Sequence, residues 1–144
     1  MSSATIHASC VAIGGRAVLI AGASGAGKSD LACRLIDRGA VLVSDDYTLL
    51  TAAGGRLLAA PPQTIVGRIE LRGVGIIDLP CVRDVPVALL IDLDSPPERL
   101  PEPKRRKFCG IALPAVALNA LDPSAPIKVE AALRLLGLEP SCPQ

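Results

Sequence analysis

The chain has 144 residues, half of them apolar, with 15 basic and 14 acidic side chains and a formal net charge of +1. That length can bury a core as one domain, and the near-neutral balance excludes any general attraction to nucleic acid or to an anionic membrane. Tyr47 and Phe108 are the only members of the Phe, Tyr and Trp class, so the core must be Val, Leu, Ile and Ala, which suits strands covered by helices and leaves no platform for stacking bases.

From the N-terminus, "TIHASCVAIGGRAVLIAG" predicts two strands around a Gly14-Gly15 turn, a strong hairpin signal. The second strand runs into "GASGAGKS". Next, "KSDLACRLIDRG" places Leu31, Leu35 and Ile36 at helical spacing with Gly39 as a stop. "AVLVSDD" reads as a short buried strand ending in Asp45 and Asp46, and "YTLLTAAGGRLLAA" as a second hairpin turning at Gly54-Gly55 and closed by Pro61-Pro62. "QTIVGRIELRGVGIIDLP" reads as a short turn or helix followed by a strand at "GIIDL". "VPVALLIDLD" is a buried strand, residues 95–107 a proline-rich loop, "GIALPAVALN" another strand, and "APIKVEAALRLLG" a final helix with Pro126 in its first turn. The run Lys104, Arg105, Arg106 and Lys107 reads as a solvated part of that loop rather than a phosphate or partner contact. Strand, glycine loop, helix and strand with hairpins attached predict an α/β layered fold with a mixed sheet, one domain over residues 1–144.

Gly22, Ala23, Ser24, Gly25, Ala26, Gly27, Lys28 and Ser29 satisfy G-x-x-x-x-G-K-[ST]. Glycines let several backbone N–H groups converge on one hollow where a side chain would block phosphate oxygens. The following helix adds the positive end of its dipole. Lys28 brings a full charge; at about 4 Å and an effective dielectric near 20, such a contact is of order 4 kcal/mol before desolvation. The Ser29 hydroxyl is placed to ligate Mg²⁺. An apolar strand before the motif and a helix after it are the context that distinguishes a nucleotide site from a chance match.

Asp45 and Asp46 end the next strand, where open α/β sheets place their ligands. Adjacent strand residues point to opposite faces, so the two acids cannot do the same work. One can hold the Mg²⁺ shell while its neighbour accepts the proton of an attacking hydroxyl. Asp45 is assigned to the metal and Asp46 to the proton, with the reverse left open.

Five cysteines, Cys10, Cys33, Cys81, Cys109 and Cys142, are scattered without a C-x-x-C pair, which fits reduced thiols rather than a disulfide framework or zinc site. "MSSATIHASC" lacks the charged and apolar segments of a secretion signal, and no apolar run approaches the about 18 residues of a membrane span. A cytoplasmic location is expected.

"GASGAGKSDLACRLIDRGAVLVSDD" followed by "RIELRGVGIIDL" resembles the catalytic domain of the bacterial HPr kinase/phosphorylase family. Its signature has the form E-[IL]-R-G-x-G-I-I-D, more specific than the phosphate loop, and the likeness covers roughly residues 5–100. The chain looks like a short form lacking the usual N-terminal domain. The resemblance implies a phosphoenolpyruvate-carboxykinase-like fold, ATP- or pyrophosphate-dependent phosphorylation of a serine on the phosphocarrier HPr of the phosphotransferase system, reverse phosphorolysis with inorganic phosphate, control of carbohydrate metabolism, and a hexamer. It also implies that residues 22–29 bind nucleotide, Ser29 and Glu70 ligate Mg²⁺, Asp46 exchanges the proton, and His7 and Arg99 belong to the active site. Where longer members carry a Gly-Arg-Asn segment associated with the phosphorylase direction, this chain has "PSAPIKVEAAL", with Lys128 its only cation. The kinase direction is therefore the better supported. Two other readings are a nucleotide-dependent switch that transfers nothing, and a small-metabolite kinase in which "KRRK" would be the lid.

Overall fold

The computed structural model describes residues 2–139. Cys142 lies outside them. The first hairpin forms as its turn predicts: β2 (Ala8–Ile13) and β3 (Arg16–Ala21) pair antiparallel in the register Ile13 opposite Arg16. Gly14 and Gly15 sit at φ 58° and 83°, the left-handed region a two-residue hairpin turn requires. One departure is local: the expected first strand breaks at His7, leaving β1 (Ser3–Ile6) to pair elsewhere.

After β3 come α1 (Lys28–Asp37), β4 (Val41–Ser44) and the second glycine hairpin, β5 (Thr48–Ala53) with β6 (Arg56–Ala60). A single 3-10 turn, Gln63–Ile65, leads to β7 (Arg68–Leu71) and β8 (Gly75–Asp78), which form a two-stranded sheet of their own. Then follow β9 (Val85–Asp92), β10 (Lys104–Phe108), β11 (Ile111–Ala117) and α2 (Ala125–Leu136), with Pro126 in its first turn.

The main sheet runs β1-β5-β6-β9-β3-β2-β4, with β11 beside β9 and β10 beyond β11. β9 organises it. One of its edges pairs parallel with β3 over residues 87–92; the other is shared, β6 antiparallel at Val85 and Pro86 and β11 parallel at residues 90–92. β9 is buried on both faces, which is why it reads as an unbroken apolar run rather than an alternating one. The mixed sheet expected from the sequence is therefore present.

Two cores flank the sheet. On one face α1 and α2 pack Leu31, Leu35, Val129 and Leu133 onto Val18, Ile20, Leu89 and Ile91. On the other, Leu50 and Leu57 of the second hairpin meet Leu19, Leu90 and Leu113. Each such side chain contributes about 1.5–3 kcal/mol of burial. The helices are joined at the surface by Arg38, whose Nε and Nη2 donate to both oxygens of Glu130 at 3.0 and 2.7 Å.

Two segments differ from expectation. "RIEL" is a strand, because Ile69 is buried against α1's core while its neighbours are exposed; four residues are too few for alternation to be read with confidence in advance of their partner. Residues 104–107, expected within the loop, form β10 together with Phe108 because β11 supplies a full antiparallel partner from Lys104 opposite Ala115 to Phe108 opposite Ile111.

The Glu130 carboxyl is held below the usual carboxylate range by the hydrogen bond from Arg38, against the opposing effect of partial burial. A depressed folded value stabilises above the unfolded pKa of about 4.3 and is lost as pH falls through the folded value. Glu130→Gln should therefore lower the melting temperature at pH 6–7, and the gap to the parent protein should shrink steadily below about pH 4. A gap that stays constant from pH 7 to 3 would show that the pair carries no pH-linked stability.

Candidate functional site

The apolar strand β3 ends at Ala21, and the backbone immediately curls back toward α1. Ala26 N–H donates to Ala23 C=O at 3.0 Å, and Gly25 and Gly27 hold φ of 85° and 99°. Gly22 is a close-approach position: a Cβ there would stand 3.0 Å from Ala26 Cβ and 3.1 Å from Leu93 Cβ. Lys28 opens α1 with its stem buried. Its ammonium donates to Gly22 and Ala23 carbonyls at 2.9 and 3.2 Å, spanning the loop from inside. Arg34, one turn and a half further along α1, donates to the carbonyls of Ala120 and Asp122, and so holds the segment after β11 beneath Gly27.

The loop opens into a cleft of about 740 Å³. It is lined by Ser24, Gly25, Gly27, Lys28 and Ser29 of the loop, by Asp45, Asp46 and Glu70 beside them, and by the β7–β8 tip, Arg72 to Gly75. Leu121 completes the rim.

The two acids differ in setting, but not by strand alternation, since both lie beyond β4 and both line the cleft. Their positions follow from where β4 stops, since the strand ends at Ser44 and Asp46 turns to φ 67°. Asp45 is buried. Its Oδ1 accepts from Ser29 Oγ at 2.5 Å and Ser9 Oγ at 3.0 Å, and its Oδ2 from Glu70 N–H at 3.1 Å. A buried carboxylate is tolerated only with such donors. Asp46 is about half exposed, with Oδ1 2.8 Å from His7 Nε2 and 3.8 Å from Lys28 Nζ. With the proton on Nε2, the imidazole donates to the carboxylate. The break in the first strand at His7 places that imidazole beside Asp46, and Tyr47 stacks on it with centroids 5.0 Å apart.

His7, Lys28, Asp45, Asp46, Ser29 and Glu70 are thus brought to one cleft or its edge. Arg99 is not among the residues lining it; it is exposed on the segment between β9 and β10. Three contributors escaped the sequence reading. Ser9 is fully buried and ties both acids together, accepting from Asp46 N–H at 3.0 Å while donating to Asp45. Its only signal is a lone hydroxyl in an apolar strand. Asp94 accepts from Ala23 N–H at 2.9 Å, bracing the loop from the strand end next to β3. Arg72 contributes a second cation to the cleft wall.

Ser29, Asp45 and Glu70 offer hard oxygen donors on three neighbouring elements, a set whose chemistry fits Mg²⁺, which takes few protein ligands and retains water. Among the described residues no group of three or more His, Cys, Asp or Glu side chains converges as a closed metal cage. No helix there is long and apolar enough to cross a membrane.

Residues 1–83 match the family described as the HPr serine kinase C-terminal domain. The chain belongs to that family. The matched stretch holds the phosphate loop, both acids and the β7–β8 hairpin. Curated relatives include HPr kinase/phosphorylase of Clostridium botulinum (strain Eklund 17B / Type B), 40% identical over 74 residues, and that of Brevibacillus brevis, 45% identical over 76 residues. These alignments cover 51% and 52% of this chain but only 24% of each relative, so the chain spans about a quarter of their length. Among solved structures, the Hpr(Ser) kinase/phosphatase from Coxiella burnetii superposes with a TM-score of 0.78 at 31% identity, covering 91% of this chain and 94% of that one. The mixed α/β fold is therefore that of the family.

The loop position that joins a left-handed φ to a close contact gives a direct test. Gly27 combines φ 99° with an ideal Cβ position 3.0 Å from Ala120 Cβ. Gly27→Ala should weaken ATP binding at least about ten-fold in a fluorescent-nucleotide titration, through backbone strain of order 1–3 kcal/mol. Gly14→Ala, with a similarly left-handed φ of 58° but open space around it, should leave the affinity unchanged. Equal affinities for all three proteins would remove the loop from the binding site.

Proposed function

We propose that this protein is an ATP-dependent kinase that phosphorylates a serine on an HPr-like phosphocarrier, with Asp46 as the proton acceptor. The observation that carries the reading is the setting of that carboxylate: at the cleft mouth, 2.8 Å from His7 Nε2 and 3.8 Å from the Lys28 ammonium. A phosphate loop alone serves switches, motors and kinases equally. A half-exposed carboxylate facing the loop lysine is what a hydroxyl acceptor needs.

In the proposed reaction, backbone N–H groups of residues 22–29 and the Lys28 ammonium hold the β- and γ-phosphates. The serine oxygen forms its bond to the γ-phosphorus as the bridging β–γ oxygen leaves with ADP. The hydroxyl proton passes to Asp46 Oδ. His7 orients that carboxylate and keeps a lone pair directed into the cleft. Ser29, Asp45 and Glu70 would hold Mg²⁺, which supplies a compact positive charge to the phosphate oxygens. Arg72, on the hairpin tip, adds a second positive charge to the cleft lining. In phosphorolysis, an oxygen of inorganic phosphate forms its bond to the phosphoserine phosphorus, giving pyrophosphate, as the serine oxygen leaves and takes the proton from protonated Asp46. Positioning both reactants over one cleft can account for about 7–11 kcal/mol of barrier.

Transfer of label from γ-labelled ATP to HPr tests the reading. Asp46→Asn should reduce kcat by about 10²–10⁴-fold, the usual contribution of a positioned general base, while ATP affinity stays within a few-fold. Asp45→Asn should instead weaken Mg²⁺-dependent ATP binding itself. ATP bound tightly by the parent protein with no label reaching HPr would favour a nucleotide-operated switch.

A further inference from the structure

The cationic run Lys104 to Lys107 has no part in the cleft. It forms β10, which pairs with β11 along one edge, and among the described residues no strand of the sheet lies beyond its other edge. All four side chains are exposed. Residues directly opposite in an antiparallel pair share a face. Lys104 and Arg106 lie opposite Ala115 and Leu113, on the face of the second core. Both are answered there by acids: Lys104 Nζ stands 2.8 Å from Glu98 Oε1, and Arg106 Nη1 3.6 Å from Asp92 Oδ2. Arg105 and Lys107 lie opposite Pro114 and Ala112, on the face that carries α1 and α2. Neither makes an ion pair among the described residues.

We propose that β10 is a docking edge for an extended, acidic segment of the protein substrate, added to the sheet as a further antiparallel or parallel strand. This rests on the kinase reading above and names a feature of its substrate. Two observations favour an acidic strand over other occupants. An open edge presents backbone donors and acceptors at strand spacing, which an extended peptide matches and a nucleic-acid backbone does not. The positive charge is also local: the chain as a whole carries only +1, so a long-range field for polyanions is lacking while four cations line one strand. Charge on an edge strand is commonly enough to keep other chains away. Here, however, one face of the strand is neutralised internally and the other is left uncompensated, which discriminates between partners rather than repelling all of them.

The placement suits the chemistry. β3, which delivers the phosphate loop, is separated from β10 by β9 and β11. A strand added to β10 would lie four spacings of about 4.8 Å from β3, about 19 Å away. The uncompensated cations project on the same face as α1, the helix that opens the loop. A substrate domain a few tens of ångströms across could be held at β10 while presenting its serine over the cleft.

The test titrates the protein into a short fluorescein-labelled peptide of alternating glutamate and valine. The parent protein should bind it, with affinity falling as salt rises, and Arg105→Glu/Lys107→Glu should weaken binding at least about ten-fold. Arg105→Gln/Lys107→Gln, less disruptive to the strand, should give a smaller loss in the same direction, and melting curves check that both variants fold. A proline in the middle of the peptide should also weaken binding, because it removes a backbone donor. No binding by the parent protein at millimolar peptide, or binding unaffected by both double variants, would overturn the proposal. Tighter binding of a labelled oligothymidylate than of the peptide would overturn it in favour of nucleic acid. In the transfer assay, Arg105→Glu/Lys107→Glu should raise KM for HPr with kcat and KM for ATP unchanged. An unchanged KM for HPr alongside lost peptide binding would overturn the assignment of the occupant. Absence of transfer by the parent protein would count against the kinase reading, and the peptide titration would still decide the edge.

Discussion

The Asp45 carboxylate is the point on which the site depends. It is buried where an ionised group would be costly, and its cost is offset by three donors from three separate elements: Ser9 on β2, Ser29 on α1 and the Glu70 N–H on β7. Those three elements are far apart in sequence and belong to two different sheets and a helix. The same carboxylate therefore fixes the mouth of the phosphate loop relative to the signature hairpin. Removing it would leave the buried Ser9 hydroxyl, the half-buried Ser29 hydroxyl and the Glu70 N–H without their shared acceptor.

Ser9 extends this constraint to the neighbouring acid. One hydroxyl donates to Asp45 and accepts from the Asp46 backbone, so the left-handed turn at Asp46 is braced by β2 as well as by its own bonds, Tyr47 N–H to Asp45 C=O at 2.7 Å and Ser44 Oγ to Tyr47 C=O. Asp tolerates that region better than most residues, at some cost in backbone strain. The turn swings the Asp46 side chain out toward His7 and Lys28, away from the buried pocket its neighbour occupies. Two adjacent carboxylates are thereby separated into a buried one that organises and a half-exposed one at the cleft.

Much of this was legible in the sequence because its causes are local. Both glycine pairs specify hairpins through φ alone, the phosphate loop declares itself through glycine and lysine spacing, and β9 is readable from continuous apolar burial. What stayed hidden depends on partners distant in the chain. β7 is a strand only because β8 pairs with it and α1 covers Ile69. β10 looks like solvated loop until β11 is present to pair with it. Ser9 and Asp94 look unremarkable as letters, and acquire roles only through Asp45 and the Ala23 N–H. Arg99 shows the converse: its family position was recognisable, yet the structure sets it on an exposed segment outside the cleft lining.

The charge inventory of the cleft adds a last constraint. Asp30, Asp45, Asp46 and Glu70 line it, against Lys28 and Arg72. A cavity with four carboxylates and two cations does not attract a bare triphosphate at long range, despite the backbone donors on its floor. On the kinase reading, the ligand that suits it is a polyphosphate already paired with a divalent ion, whose charge satisfies the carboxylates on one side while the loop takes the phosphate oxygens on the other. The acids that would repel the free nucleotide then become the reason the metal complex is preferred. On that reading, selectivity for the metal complex rests on the side chains around one buried aspartate as well as on the phosphate loop.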